Sequence, residues 1–361
     1  MRPVYVLGIF IPLAIVLELV HASPVLVFGA AALGVIPTAA VMGLATEHLA
    51  AQTGPGIGGF LNVTFGNAPE LIIAFFALKE GLQEVVKASI VGSIIGNILL
   101  VLGAAMLVGG FKREKQEFNR TAASAQSGML LLATVALILP AVFLLVNGGG
   151  LPSVNEERVN FGSEVEQLSL GVAIVLIVSY IAGLVFSLKT HREVFNPFEG
   201  SEAEEHEGGW SIKKSLVLLA IAAVLVGIMS EVLVGSITEA SADIGISEFF
   251  VGVFVVAIVG NAAEHWVAVL VAAKDKMDLA VGIAVGSSAQ IALFVAPVLV
   301  LLSFVIGPNP LALVFNGYEL GALLFAVLVA NQVTNDGESN WFEGVQLLSL
   351  YAVLGLVFYF A

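Results

Sequence analysis

Two short phrases in the chain combine a carboxylate, an amide and a glycine within strongly apolar surroundings. Gly66-Asn67-Ala68-Pro69-Glu70 and Gly260-Asn261-Ala262-Ala263-Glu264 stand 194 residues apart. The likeness continues at the same offset, pairing Gly92-Ser93 with Gly286-Ser287, each 26 residues beyond its leading glycine. A carboxylate in a lipid-buried helix costs roughly 2.5–3.5 kcal/mol on insertion scales, so its default reading is functional. Residues three apart share a helix face, so Asn67 with Glu70, and Asn261 with Glu264, present two oxygens together. Gly66, Gly260 and Pro69 loosen the helical ladder beside them and can free carbonyls to line a cavity. All of these donors are hard oxygens, suited to Ca²⁺, Na⁺, Mg²⁺ or Mn²⁺ rather than to a soft metal. Two carboxylates neutralise one divalent cation, and without it they repel each other in a poorly solvated place. Protons and a divalent cation therefore compete for Glu70 and Glu264. At a site that opens to one side at a time, that competition is sufficient for cation/proton exchange.

Other polar residues cluster around the same phrases. Ser93, Asn97, Ser287 and Gln290 stand on the apolar segments that follow, where their oxygens could extend the cation shell or orient the glutamates. Gly92 with Gly96, and Gly282 with Gly286, are small residues four apart, which lets helix backbones approach closely. His265 follows Glu264 and has Leu71 as its counterpart. It could carry protons or, about 100° round the helix, pack against a neighbour. Glu47 and Glu239, each after a threonine near the end of an apolar segment, form a looser matched pair. They are candidates for access or gating from opposite sides, or ordinary interfacial glutamates.

The elements that must position these residues are membrane spans. The 361-residue chain has a mean hydropathy of +1.01, 58% hydrophobic residues and 12% charged ones, far below the roughly 25% charge of soluble domains. The expected fold is an all-α integral membrane protein with about eleven transmembrane helices. They run approximately over 3–20, 24–46, 56–78, 85–108, 122–146, 166–188, 212–236, 246–273, 278–306, 314–333 and 343–360. The apolar start ending in Val20-His21-Ala22 is read as an uncleaved first helix. Eleven of the 14 basic residues, including Lys112, Arg113, Lys115, Lys213 and Lys274, fall on the side of the N-terminus; Lys79, Lys87 and Arg158 fall opposite. That bias puts the N-terminus in the cytoplasm and the C-terminus outside. Segments 2–6 and 7–11 are then two halves of five spans each, and five is odd. Corresponding helices cross in opposite directions, an inverted repeat of the kind common in secondary transporters. The expected layout is an N-terminal helix over 1–22, a first repeat over 23–190, a linker over 191–211 and a second repeat over 212–361. The linker carries Glu199, Glu202, Glu204, Glu205 and Glu207, either a solvated connector or a regulatory acidic patch that concentrates cations.

Several functions are excluded. With no cysteine there is neither disulfide nor thiolate metal site, and five scattered histidines make no zinc cluster. A net charge of −14 argues against nucleic acid. No His-Glu-x-x-His or serine–histidine pattern supports an enzyme, and no carbonyl-ring filter sequence supports a channel. The phrases over 66–72 and 260–265, the loop Lys274-Asp275-Lys276-Met277-Asp278 and Gly286-Ser287-Ser288 with Gln290-Ile291 resemble the CAX-type calcium/proton exchangers of the cation/calcium exchanger superfamily. The acidic linker is similar to that family's acidic segment. The resemblance implies that Glu70 and Glu264 carry Ca²⁺ and H⁺, that segments 3, 4, 8 and 9 surround the site and that segments 2 and 7 gate it. It further implies a proton-driven antiporter in a prokaryotic plasma membrane, in contact with lipid and with no cofactor beyond the transported ions; the glycine-rich outer faces are compatible with a monomer or a homo-oligomer. A Na⁺/Ca²⁺ exchanger of the same fold, or a proton-coupled exchanger of another divalent cation such as Mn²⁺, is the alternative. Ala262, Ala263 and His265 in the second phrase tilt the reading to protons.

Overall fold

The computed structural model describes residues 2–154, 162–191 and 210–361. The five linker glutamates, Arg158 and Arg192 lie outside the described residues.

The described chain is almost wholly helical. Eight helices are long and apolar enough to cross a membrane: α2 (Pro24–Thr53), α5 (Gln83–Gly110), α6 (Arg120–Val146), α7 (Ser163–Thr190), α8 (Ile212–Gly235), α10 (Glu248–Ala273), α11 (Met277–Ser303) and α13 (Trp341–Phe360). A ninth is a bent pair, α3 (Phe60–Gly66) and α4 (Ala68–Lys79), meeting at 43°. Two shorter apolar helices, α1 (Val4–Leu19) and α12 (Gly317–Val333), complete the set, with α9 (Ile237–Ile244) a short helix after α8. Eleven expected spans thus resolve into eight clear ones, one broken one and two that are short by length. The turn between segments 2 and 3 is itself helical, since helical backbone runs from Pro24 to Gly66. A straight helix would separate residues eight apart by about 12 Å. Here the α-carbon face of Gly58 abuts the carbonyl of Ala50, so the chain doubles back between them.

The ends of the helices meet on two faces. On the face of the N-terminus, β1 (Gln116–Glu117) pairs antiparallel with β2 (Glu338–Ser339), joining the loop before α6 to the loop before α13. Arg113 Nε lies 3.2 Å from Asp275, and Lys115 Nζ lies 2.6 Å from Glu338 and 2.9 Å from Glu117. The two carboxylates accept from the Lys115 ammonium and push its pKa further up. On the opposite face Lys79 reaches Glu231 at 3.4 Å, and Gln83 Nε2 donates to Asn309 O at 2.8 Å.

Two details go beyond the expected spans. Lys87, counted among the basic residues of the side opposite the N-terminus, is 2% exposed, pairs with Glu84 and donates to Val314 O at 2.8 Å. Segment 10 does not begin as helix at 314. Residues 311–315 lie outside any helix and are fully enclosed, and α12 starts at Gly317 behind an Asn316–Glu319 capping box. Buried non-helical backbone needs partners; Ser303 Oγ takes Leu311 N at 2.7 Å and Ser169 Oγ takes Leu313 N at 2.9 Å.

The core lies between α4, α5, α10 and α11. α8 packs lengthwise on the stretch Pro24–Gly66, with α1 beside it. α5 and α10 cross in close contact, because Gly92 has no Cβ to meet the backbone of Val253. Large apolar side chains on α6, α7 and α8, such as Leu132, Val175 and Val224, face outward, as lipid-facing helices require.

Candidate functional site

Asn67 sits at the break between α3 and α4, with φ −95° and ψ 17°, outside helical geometry. Pro69 in the first turn of α4 lacks an amide hydrogen and is well placed there. Glu70 follows in that first turn, where unsatisfied amides favour an anion. The second half is built differently. α10 passes through Gly260–Glu264 without a break, and its irregular stretch is a π-helical run at Val251–Val256. Pro69 against Ala263 accounts for the difference, since only proline removes a ladder hydrogen bond.

The two phrases meet face to face. A Cβ on Gly260 would stand 3.1 Å from Glu70 Cγ, and one on Gly66 would stand 3.2 Å from Glu264 Oε1. Each glutamate thus lies over the glycine of the opposite phrase. The amides are held by the following helices. Asn67 Nδ2 donates to Gln290 Oε1 at 2.6 Å, and Asn67 Oδ1 accepts from Ser287 Oγ at 3.1 Å. Asn261 Nδ2 donates to Ser93 Oγ at 3.0 Å and to Ala257 O at 2.9 Å. The serines at matched positions therefore each hold the asparagine of the opposite half.

The carboxylates are not equivalent. Glu264 Oε2 lies 2.9 Å from Ser287 Oγ and shares its one hydrogen with Asn67 Oδ1. Glu70 is 9% exposed, and neither of its carboxylate oxygens has a hydrogen-bond partner among the described residues; Asn261 Oδ1 is likewise unpaired. Three buried acceptors on the two facing phrases, with no donor for them among the described residues, are what a cation or proton site requires. His265 Nε2 lies 3.0 Å from Asn97 Oδ1, so this ring packs against a neighbouring helix and not against Glu264. Asn97 Nδ2 continues to Ser287 Oγ at 3.3 Å. Among the described residues no three of His, Asp and Glu gather as a metal cluster. The charged donors are the Glu70–Glu264 pair, and the rest are amides and a hydroxyl.

A cavity of about 520 Å³ leads to this point from the face that carries the N-terminus. Its lining includes Glu47, Glu264 and Asp278, three carboxylates, and Asn62, Asn119, Gln126 and Gln290, four carboxamides, and among the described residues no lysine, arginine or histidine. Glu70 instead lines a closed space of about 10 Å³, with Ser89, Ser93, Val256 and Val295. Glu47 is exposed in the cavity mouth; Glu239, on α9, is exposed but lines neither space. The matched pair thus divides, and only Glu47 stands on a path to the site.

The sequence model of the sodium/calcium exchanger protein family matches residues 23–189 and 214–360. The chain belongs to that family. Among its relatives, the Ca²⁺/H⁺ antiporter ChaA of Bacillus subtilis is 45% identical over 97% of this chain and 96% of its own. The Ca²⁺/H⁺ antiporter of Aphanothece halophytica is 43% identical over 98% and 95%. The crystal structure of the selenium-substituted Ca²⁺/H⁺ antiporter protein YfkE superposes with a TM-score of 0.83 at 41% identity, covering all of both chains. The CAX-type resemblance drawn from the two phrases therefore stands.

In this family member, sequence reasoning gave no site role to four polar lining residues. Asn62, Asn119, Gln126 and Asp278 face the cavity; Asn62 stands only four residues before Gly66, and Asp278 closes the loop that carried the resemblance. Gln126 had a readable signal: it is a polar residue one turn into an apolar helix.

Proposed function

We propose that this protein is a Ca²⁺/H⁺ antiporter that uses the proton gradient to expel Ca²⁺ from the cytoplasm, with Glu70 and Glu264 carrying both ions. The observation that carries the reading is the reciprocal seating of two glutamates from opposite halves, with Glu264 at the inner end of an acidic cavity. Two carboxylates and nearby amide oxygens suit the flexible oxygen coordination of Ca²⁺. A buried pair of carboxylates without a cation calls for protons instead, which makes the two ions exclusive. The names of the close relatives agree with proton coupling, and nothing in the second phrase favours sodium. The cation is cargo and no separate cofactor is required.

The finer organisation belongs to the same proposal. The chain crosses the membrane eleven times, as one N-terminal helix and two inverted repeats of five; the two separate stretches matched by the family model and the crossed seating of the glutamates support this. The N-terminal face is cytoplasmic by its excess of basic residues, so the cavity is the inward-open state. Asn67 and Asn261 bind the ions with the glutamates, Gly66, Gly260, Ser93, Asn97, Ser287, Gln290 and His265 form the supporting shell, Glu47 guides cations at the mouth, and α2 and α8 are the gate.

Uptake of ⁴⁵Ca²⁺ into everted vesicles or proteoliposomes, with ΔpH and Na⁺ gradients imposed separately, tests it. Uptake driven by ΔpH and abolished by an uncoupler is expected. Uptake driven by a Na⁺ gradient and indifferent to uncoupler would overturn it.

A further inference from the structure

Ser287 touches both halves of the site at once. Its Oγ lies 2.9 Å from Glu264 Oε2 and 3.1 Å from Asn67 Oδ1 and accepts from Asn97 Nδ2 at 3.3 Å. A hydroxyl carries one hydrogen and two lone pairs. Asn97 occupies a lone pair, so the single hydrogen can be directed only at Asn67 or Glu264. The orientation is fixed from behind, because Asn97 Oδ1 accepts from His265 Nε2 at 3.0 Å, in the tautomer protonated there, and the Asn97 amino group is left facing Ser287. Asn67 is fixed from its other end by Gln290 Oε1 at 2.6 Å. Ser287 and Gln290 stand three apart on α11, on one helix face. Together they grip both ends of an amide from the other half of the chain, and Ser287 adds the carboxylate of α10.

We infer that Ser287 and Gln290 are positioning residues that set the spacing between Asn67 Oδ1 and Glu264 Oε2, and that this spacing selects the size of the divalent cation. The inference rests on the proposed cation transport at this site. Both oxygens lie within 3.1 Å of one hydroxyl, which donates to one of them at a time, so Ser287 anchors the place of each relative to α11 where a cation would otherwise draw them. Ca²⁺ takes oxygens at about 2.3–2.6 Å in adaptable geometry, whereas smaller divalent ions draw oxygens nearer, about 2.0–2.1 Å for Mg²⁺. With the bridge intact, Asn67 and Glu264 cannot both close on a small ion. With the bridge cut, they can. The matched serine of the first half does not reproduce the bridge, since Ser93 Oγ takes Asn261 and Glu70 has no hydrogen-bond partner.

The test compares Ca²⁺ and Mn²⁺ on the full-length protein, by equilibrium binding in detergent and by ΔpH-driven uptake into proteoliposomes. Ser287→Ala is expected to shift the Ca²⁺:Mn²⁺ affinity ratio toward Mn²⁺ by about tenfold, the size of one lost hydrogen bond to a charged group. Ser287→Thr, which keeps the hydroxyl, is expected to hold the wild-type ratio. Gln290→Leu, which frees the other end of the same amide, is expected to shift it in the same direction and serves if Ser287→Ala does not fold. An unchanged ratio in folded Ser287→Ala, or in Gln290→Leu where that variant stands in, overturns the inference, whether transport survives or not. Absence of ΔpH-driven Ca²⁺ uptake by the wild-type protein would instead overturn the antiport reading beneath it.

Discussion

Glu70 and Glu264 occupy matched places in the chain yet meet different surroundings: one has a serine donor and an open cavity, the other has neither. Replacing either carboxylate by an amide removes a charge that the cation needs. Glu70→Gln and Glu264→Gln are therefore expected to abolish ⁴⁵Ca²⁺ uptake into everted vesicles while leaving the protein monodisperse in detergent; wild-type uptake in both would sink their assignment as carriers. The glycines opposite them are equally exposed to test. A Cβ on Gly260 intrudes on Glu70 at 3.1 Å and one on Gly66 intrudes on Glu264 at 3.2 Å. Gly260→Ala and Gly66→Ala are expected to lower uptake by about tenfold, the equivalent of modest overpacking, with little change in thermal unfolding. This much of the site was legible in the sequence, because a repeated carboxylate in an apolar run has few innocent explanations. The partners were less legible. At the repeat offset Gln290 aligns with Gly96 and Asn97 with Ile291, so these two amides break the symmetry that revealed the rest. Their contacts span 223 and 190 residues, and no local pattern announces them.

At the scale of the helices, α5 is held on both sides by unlike means. One face carries Ser93 and Asn97 into the site, and the other carries the enclosed Glu84–Lys87 pair against the non-helical stretch before α12. Glu319 on α12 is fully buried within electrostatic reach of that pair and accepts from Asn316 N at 2.8 Å. Removing one partner of a buried ion pair costs about 3–5 kcal/mol, because the other charge is left alone, while replacing both is far milder. Lys87→Met is thus expected to lower the midpoint of thermal unfolding in detergent markedly, and Lys87→Met with Glu84→Gln to recover most of it. Equal loss in the single and double variants would show that packing, not charge, holds this contact. The sequence hid this brace for a physical reason: a lysine and a glutamate near the start of an apolar run are ordinary interfacial residues by pattern. Only the fold of residues 311–315 over them takes them out of water. The helical turn linking α2 to α3 was hidden similarly, since its residues keep helical hydrogen bonding while the chain reverses.

For the whole molecule, the consequence of the proposed inverted repeat is a single site with one open side. The cavity reaches Glu264 from the face of the N-terminus, and the opposite face is closed by the 311–315 stretch, the Lys79–Glu231 contact and the turn where Gly307, at φ +88°, fits against Leu78. The chain has no cysteine, so single cysteines can report access without a background. In everted vesicles a membrane-impermeant maleimide is expected to label Gln126→Cys and Asn62→Cys, which line the cavity, and to leave Gly148→Cys unlabelled. In right-side-out vesicles the pattern is expected to invert, since Gly148 follows α6 at its far end. The two arms separate distinct claims. Labelling of Gly148→Cys in everted vesicles would reverse the orientation argued from the basic residues. Labelling of Gln126→Cys from both sides would mean the cavity is a through-passage, and alternating access would fail with it. Protection of Gln126→Cys by Ca²⁺ in everted vesicles, relieved by Glu264→Gln, would tie the cavity to the carboxylate at its end.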